Sequence, residues 1–520
     1  MRKSKFIIYV IAIVTISLIF QSCKQEVEIS DKGVSVIPID SAQIAPFLKN
    51  HPDLKKYENN MVEIYRHFDF NYIWLNERGV VDYGDSLYSK VENIRDEGIY
   101  STFPYQENID SIFTDDSKKF KKHPDSDFLM TGLYLFYADK VYRGIDSTTS
   151  KKIGWHLPRR EMGYVELLDS IIRDDLWMDE NQEVLYTQYY KLREVLNRYQ
   201  KIKKNGGWDS IEIDSDFEVL KPEDTSLVIK QIRNRLFITG EVDKNNESEV
   251  YDEELLAGIK KFQTHNGFKE DVLIKAKHIT AMNIPVEQHI KTIAVNMERC
   301  RWIPPKLSEI EKFIFVNIPA YQLEFFKEGK VTLESSVVVG KIMTKTVIFD
   351  GEMSYIAFSP YWNLPQSIIK NEVLPGMEKD EDYLKKRNME WNDGNVRQRP
   401  GYQNSLGLVK FMFPNSNAIY LHDTPAKSLF DREDRAMSHG CIRVEKARDL
   451  AITILEEDKE WNKKRIDAAM HAGRENIYNL KEKIPVYIGY FTAWVDEEGK
   501  VNFYKDVYNR DKKLIELLSL

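Results

Sequence analysis

The chain has 520 residues, 42% hydrophobic, 12% aromatic and 30% charged, too long for one hydrophobic core and suited to two to four domains. Its 74 Lys and Arg against 82 Asp and Glu leave a net charge of −8, which argues against a polyanion partner such as nucleic acid. Three cysteines, Cys23, Cys300 and Cys441, are too few for a disulfide framework in a chain of this length, and each is read as having a separate fate.

Arg2, Lys3 and Lys5 open the chain, and Phe6 to Phe20 is an uncharged, mostly apolar run of 15 residues. A basic start, a short apolar core and a small residue before a cut site describe a secretory signal. The run is short of the about 20 residues a membrane-spanning helix needs. Ser22-Cys23 at its end resembles a bacterial lipobox, which implies cleavage before Cys23 and lipidation of its thiol. The expectation is an exported protein held to a lipid bilayer facing the periplasm, the outer membrane first. An uncleaved inner-membrane signal anchor is the alternative. Residues 1–23 are read as signal with lipobox and 24–40 as a polar tether.

Residues 41–224 read as a mainly helical scaffold. Aromatics in Tyr134 to Tyr142 and Leu185 to Tyr190 fall at three- and four-residue spacing, as on a helix buried on one face. Residues 225–285 form a smaller unit with Leu255, Ile259 and Phe262 at helical spacing and a turn at Asn266-Gly267. The segment Ile259 to Phe268 resembles a small three-helix peptidoglycan-binding module. Its downstream half, Asp271 to Lys277, lacks the two glycines of that pattern, and glycan binding and a purely architectural role both stand. A connecting helix over 286–311 meets Trp302-Ile303-Pro304-Pro305, which stops it. Cys300 near its end reads as a small apolar packing group.

From Phe313 the texture turns to strands. Phe313 to Ile318 is a short apolar run, Val331, Leu333, Val337 and Val339 keep period two, and Gly351 to Phe358 and Ala418 to His422 are similar. Val486 to Val495 and Val501 to Tyr508 flank Asp496 to Lys500, a hairpin signal. The fold class is multidomain α+β: helical scaffold, small three-helix module, and a C-terminal, mostly β domain over 312–515.

Two stretches carry chemistry: Ile419 to Pro425 around His422, and Ser438-His439-Gly440-Cys441-Ile442-Arg443-Val444. A thiol is a useful nucleophile only as thiolate, so its pKa must be lowered by a neighbour. Ala447, Leu450, Ala451, Ile454 and Leu455 have helical spacing, which predicts a helix from near Glu445 whose N-terminus favours charge on Cys441. Backbone N–H groups around Gly440 and Cys441 are candidate oxyanion donors. His422 ends a strand on which Ile419 and Leu421 face the core and Tyr420 and His422 the functional side. Its imidazole can take the thiol proton and return it to a leaving amine. Either the backbone near Asp423 or the Asp423 side chain can orient the ring.

His422 with Ser438-His439-Gly440-Cys441 nineteen residues on to the cysteine resembles the L,D-transpeptidase (YkuD-type) signature, and Cys441-Ile442-Arg443 its long Gram-negative branch. Asn317 to Tyr321, Val337 to Gly340, Trp362-Asn363-Leu364-Pro365, Arg397 to Gly401, Asn404 to Gly407, Lys410 to Asn415, Pro485 to Tyr487 and Tyr490 to Trp494 fit the same branch. The resemblance implies that Cys441 attacks the carbonyl of the third residue of a tetrapeptide stem of peptidoglycan. D-alanine leaves, protonated by His422, and an amine of another stem resolves the thioester into a 3-3 cross-link. It also implies acylation of the cysteine by carbapenems, no cofactor and no metal, a substrate-capping insertion over about 366–405, and Trp362 among the substrate-binding residues. Other cell-wall synthases are further candidate partners.

Several residues carry plainer readings as well. His439 is first a loop holder, with oxyanion help second. Arg443 is a loop clamp or a binder of a stem carboxylate. Tyr420 packs or orients substrate, and Ser438 steadies a turn or bonds near the thiol. A zinc site of His422, His439 and Cys441 lacks a fourth ligand. Two other functions use the same residues differently: an L,D-carboxypeptidase or endopeptidase hydrolysing the thioester, and a non-catalytic peptidoglycan-binding lipoprotein.

Overall fold

The computed structural model describes residues 34–114, 123–159, 163–173, 177, 184–304, 307 and 309–520. The signal, Cys23 and most of the tether lie outside the described residues. No described helix is long and apolar enough to cross a membrane.

The chain packs into two units. The first takes residues up to 93, 102–139 and 162–182. It is helical, and its helix Pro124–Ala138 is buried from Asp127 to Ala138 on every side rather than on the single face expected. At its centre Asp127 accepts hydrogen bonds from the Tyr65 hydroxyl (2.5 Å) and from the backbone N–H groups of Ile73 (3.2 Å), Trp74 (2.9 Å) and Leu75 (3.2 Å). One carboxylate thus satisfies three amides of a chain reversal that no helix or ladder would otherwise serve.

The second unit takes 94–101, 140–161 and 183–520. Position 224 is therefore no packing boundary. Helix Thr187–Lys204 places Tyr189, Leu192, Val195, Leu196 and Tyr199 in one core with Ile290, Ile293 and Met297 of helix Val286–Arg301, and with the β domain. Cys300 is fully buried in that core. The small module is three helices, Leu227–Thr239, Glu253–His265 and Ala276–Met282, around Ile229, Ile232, Leu236, Leu255, Ile259, Phe262, Ile279 and Met282. Its glycine-free stretch forms a short strand, Ile274–Lys275, paired with Val219–Leu220.

The β domain holds nine strands in one sheet: β1 (Lys312–Asn317), β2 (Gln322–Lys327), β3 (Lys330–Gly340), β4 (Phe349–Phe358), β5 (Val409–Met412), β6 (Leu421–His422), β7 (Ala436–Ser438), β8 (Ile442–Val444) and β9 (Asn476–Gly489). The order is β7-β3-β8-β6-β5-β4-β9-β1-β2, and β2 also pairs with β3, so the sheet closes on itself. Closure removes exposed edges, and inward positions fill the core. The predicted hairpin is present as Ala493–Val495 paired with Val501–Phe503.

Between β4 and β5 the chain builds a cap with its own three-stranded sheet, Trp362–Asn363, Met389–Asn392 and Asn395–Gln398, and its own core of Leu364, Ile368, Ile369, Val373 and Val396. The cap starts at Trp362 rather than 366, because Trp362 and Asn363 pair with Gln398 and Arg397.

Candidate active site

The site is set by strand register. Lys410 of β5 lies directly opposite His422 of β6, and His422 directly opposite Arg443 of β8. Directly opposed residues share a face, so three cationic-type side chains form one row across three strands. Tyr420 and Cys441, each one residue before β6 and β8 begin, line the same cavity as this row. Phe411, Leu421 and Ile442 point the other way and are fully buried. The Ile442 N–H donates to the Tyr420 carbonyl (3.1 Å), which levels Cys441 with Tyr420.

This face and the cap enclose a cavity of about 890 Å³ whose lining includes Trp362, Lys410, Tyr420, His422, Cys441 and Arg443. The Cys441 thiol donates to the Ala418 carbonyl (3.6 Å), a carbonyl aimed by a left-handed residue (φ 53°). Burial pushes the thiol pKa up, while the Tyr420 backbone N–H and hydroxyl, Lys410 and Arg443 oppose that rise. Trp362 lines the same cavity as Tyr420. The Lys410 Nζ sits 4.0 Å from the Tyr420 ring centroid.

His422 is buried, and burial first, then Arg443 and Lys410, push its pKa down to about 3. Its Nδ1–H donates to the Asp423 carbonyl, which leaves Nε2 as the basic nitrogen. The Asp423 side chain is engaged elsewhere: it accepts from the Leu408 N–H (2.9 Å) and from Lys427 (2.7 Å). Burial thus works against charge on both the imidazole and the thiol, while Lys410, Arg443 and Tyr420 line the cavity around them.

Three expectations are corrected. The helix after the cysteine is Ala447–Ile454, and β8 with Glu445 and Lys446 separates it from the sulfur, so no helix dipole acts on Cys441. The Gly440 N–H is already donated to the Ser438 Oγ (3.1 Å), so it is not a free oxyanion donor. What Gly440 supplies is a φ of +120°, a conformation side chains resist. His439 faces the cap, not the oxyanion position: its Nε2 pairs with Glu372 at 3.1 Å.

Ser438 Oγ also donates to the Cys441 carbonyl (2.5 Å), so its work is in the loop. Arg443 lines the cavity, and among the described residues its buried Nε has no hydrogen-bond partner. No described group of three His, Cys, Asp or Glu could hold a metal.

Sequence reasoning passed over three residues. Lys410 was legible from the alternation Val409-Lys410-Phe411-Met412, which puts it on the side opposite the core. Glu372 carried no signal. Thr346 is the third: its Oγ1 accepts from the Gly340 N–H (2.9 Å) and donates to the Gly440 carbonyl (2.8 Å), tying β3 to the cysteine loop.

Comparison with known proteins agrees with the geometry. Residues 311–466 match the YkuD family, the L,D-transpeptidase catalytic domain, and residues 59–196 match the Scaffold domain family. A curated L,D-transpeptidase homologue from Haemophilus influenzae is 35% identical over 243 residues, covering 43% of this chain and 48% of its own length. The chain thus spans about half the length of the curated relative it matches. Among solved structures, an L,D-transpeptidase from Mycobacterium smegmatis is 13% identical, with 34% of this chain and 58% of that one covered and a TM-score of 0.20. One from Stackebrandtia nassauensis is 12% identical, with 52% and 97% covered and a TM-score of 0.22. The sequence matches carry the assignment: this chain bears a YkuD-type L,D-transpeptidase catalytic domain in its C-terminal part and a scaffold domain before it.

Proposed function

We propose that the protein is a cysteine acyltransferase that joins peptidoglycan stem peptides through 3-3 cross-links. The observation that carries this reading is the row Lys410–His422–Arg443 with Cys441 on the same face of one roofed cavity. The His422 Nε2 accepts the thiol proton as Sγ attacks the carbonyl carbon of the third stem residue. The C–N bond to D-alanine then breaks, its nitrogen takes the proton from His422, and a thioester remains. An amine of a second stem gives up a proton to His422 and displaces the sulfur, which takes that proton back from His422 to restore the thiol. Arg443, with an unsatisfied guanidinium nitrogen, binds a carboxylate of the donor stem. The same cysteine is a target for carbapenem acylation.

Incubating the protein with purified disaccharide-tetrapeptide tests the reading by product mass. Dimers that lack one D-alanine are expected. Tripeptides alone would mean hydrolysis, and unchanged substrate would overturn the enzymatic reading.

The reading includes export and a lipid anchor at Cys23, supported by the basic start, the apolar run and Ser22-Cys23. Cys23→Ala is expected to move the protein from the membrane to the soluble fraction; unchanged membrane recovery would refute the anchor.

A further inference from the structure

Lys410 is mostly buried, and burial lowers its pKa; the carboxylate of Glu475 and the Cys441 sulfur oppose that shift. It forms no ion pair among the described residues. Its Nζ instead lies over the Tyr420 ring at 4.0 Å, an attractive but weak substitute for a counter-ion. A partly desolvated cation without a paired anion is costly unless a negative charge arises nearby. In the proposed reaction such charge arises first at the Cys441 sulfur, before it passes to the carbonyl oxygen. Tyr420 stands between the two groups: its face takes the ammonium, it lines the cavity with Cys441, and its hydroxyl favours charge on the sulfur.

Resting on the acyl-transfer reading above, we propose that Lys410 is an electrostatic positioning residue for Cys441, polarising the Tyr420 hydroxyl toward the sulfur and favouring the thiolate. During ionisation the proton passes from Sγ to the His422 Nε2, and Lys410 neither gives nor takes one. The ammonium has a second effect from the same place. Standing directly beside His422 in the strand register, it opposes a resting imidazolium and keeps the base free. The other charged and titratable groups around this cavity are Arg443, beside His422 on β8; Glu475, at the foot of β9; His439, paired with Glu372 of the cap; and Tyr383, Lys386 and Arg387, which line it from the cap. Of these, Arg443 alone shares the row, so a change at Lys410 leaves Arg443 and the cap cations in place and gives a partial effect.

The test is the pH profile of Cys441 alkylation by iodoacetamide in the full chain, read by mass on the Cys441 peptide for wild type, Lys410→Met and Lys410→Arg. Met keeps the apolar stem over Tyr420 and removes the charge; Arg keeps the charge. The expected result for Lys410→Met is a midpoint raised by about one pH unit, with about tenfold slower alkylation at neutral pH. Lys410→Arg is expected to stay within about twofold of wild type. An unshifted midpoint in Lys410→Met overturns the proposal and leaves Lys410 as packing. The buried Cys300 reports folding in the same digest by staying unlabelled. Should Met expose it, Lys410→Gln is read by the same criteria. The assay uses no stem peptide, so failure of cross-linking and failure of this proposal are separately visible.

Discussion

At the residue scale, His422 decides how the site responds to acid. Burial and two flanking cations hold its folded pKa at about 3, below the ordinary value of 6.5. The imidazole therefore stays unprotonated across mildly acidic pH, and the acylation rate of Cys441 is expected to be flat between pH 5 and 7. A rate falling with a midpoint near 6.5 would contradict this. The same depression links to stability. The unfolded chain takes up the proton first, so this contribution is full above pH 6.5 and is lost as pH falls toward 3. At pH 5.5 the loss from this one group is about 1.4 kcal/mol. His422→Gln is expected to show a shallower fall of Tm than wild type between pH 7 and 5.5. Equal slopes would mean that the ring is solvated. His422 and Cys441 could be singled out as candidates because their residue types and spacing are tied to chemistry. The row around them could not, because register between β5, β6 and β8 is a tertiary fact that joins residues up to 33 positions apart, Lys410 to Arg443.

At the element scale, the cysteine loop is held from β3. Thr346→Val removes the hydroxyl that serves the Gly340 N–H and the Gly440 carbonyl, and leaves both buried groups unsatisfied. A loss of about 2 kcal/mol is expected in denaturant melts, with slower acylation, and Thr346→Ser is expected to restore both. An undiminished Thr346→Val would show that water takes the place of the hydroxyl. The cap has a separate small core, so Val396→Ala is expected to raise hydrogen exchange over 366–398 while β4 and β9 keep their protection. Uniform loss across the barrel would contradict an independent cap core. The helix after Cys441 was read correctly and starts within two residues of the expected place, but its N-terminus does not reach the sulfur. Ile442-Arg443-Val444 alternates buried and half-buried as a strand, and that period-two run takes the residues next to the sulfur. The capping insertion came from the family resemblance, whereas its first strand, Trp362–Asn363, depends on a partner more than thirty residues away.

At the scale of the whole molecule, each unit rests on buried polar groups as well as apolar cores. In the first unit, Asp127→Ala strands the amides of Ile73, Trp74 and Leu75 and leaves the Tyr65 hydroxyl only its contact with Thr131. A loss of about 3 kcal/mol is expected, with faster exchange at residues 73–75 and unchanged exchange in the β domain. Faster exchange in both would mean that the units melt together. The division into a helical part and a β part was visible in the change of period at Phe313. The way helix Thr187–Lys204 joins the second unit was not, since an amphipathic face does not name its partner. The central claim is that the sulfur of Cys441, served by His422, is the acyl-accepting atom. Intact-mass measurement of wild type, Cys441→Ala and His422→Ala after exposure to a carbapenem tests it most directly. One adduct mapped to the Cys441 peptide is expected in wild type, none in Cys441→Ala and a much slower one in His422→Ala; an adduct that persists in Cys441→Ala, or none in wild type, would contradict the account.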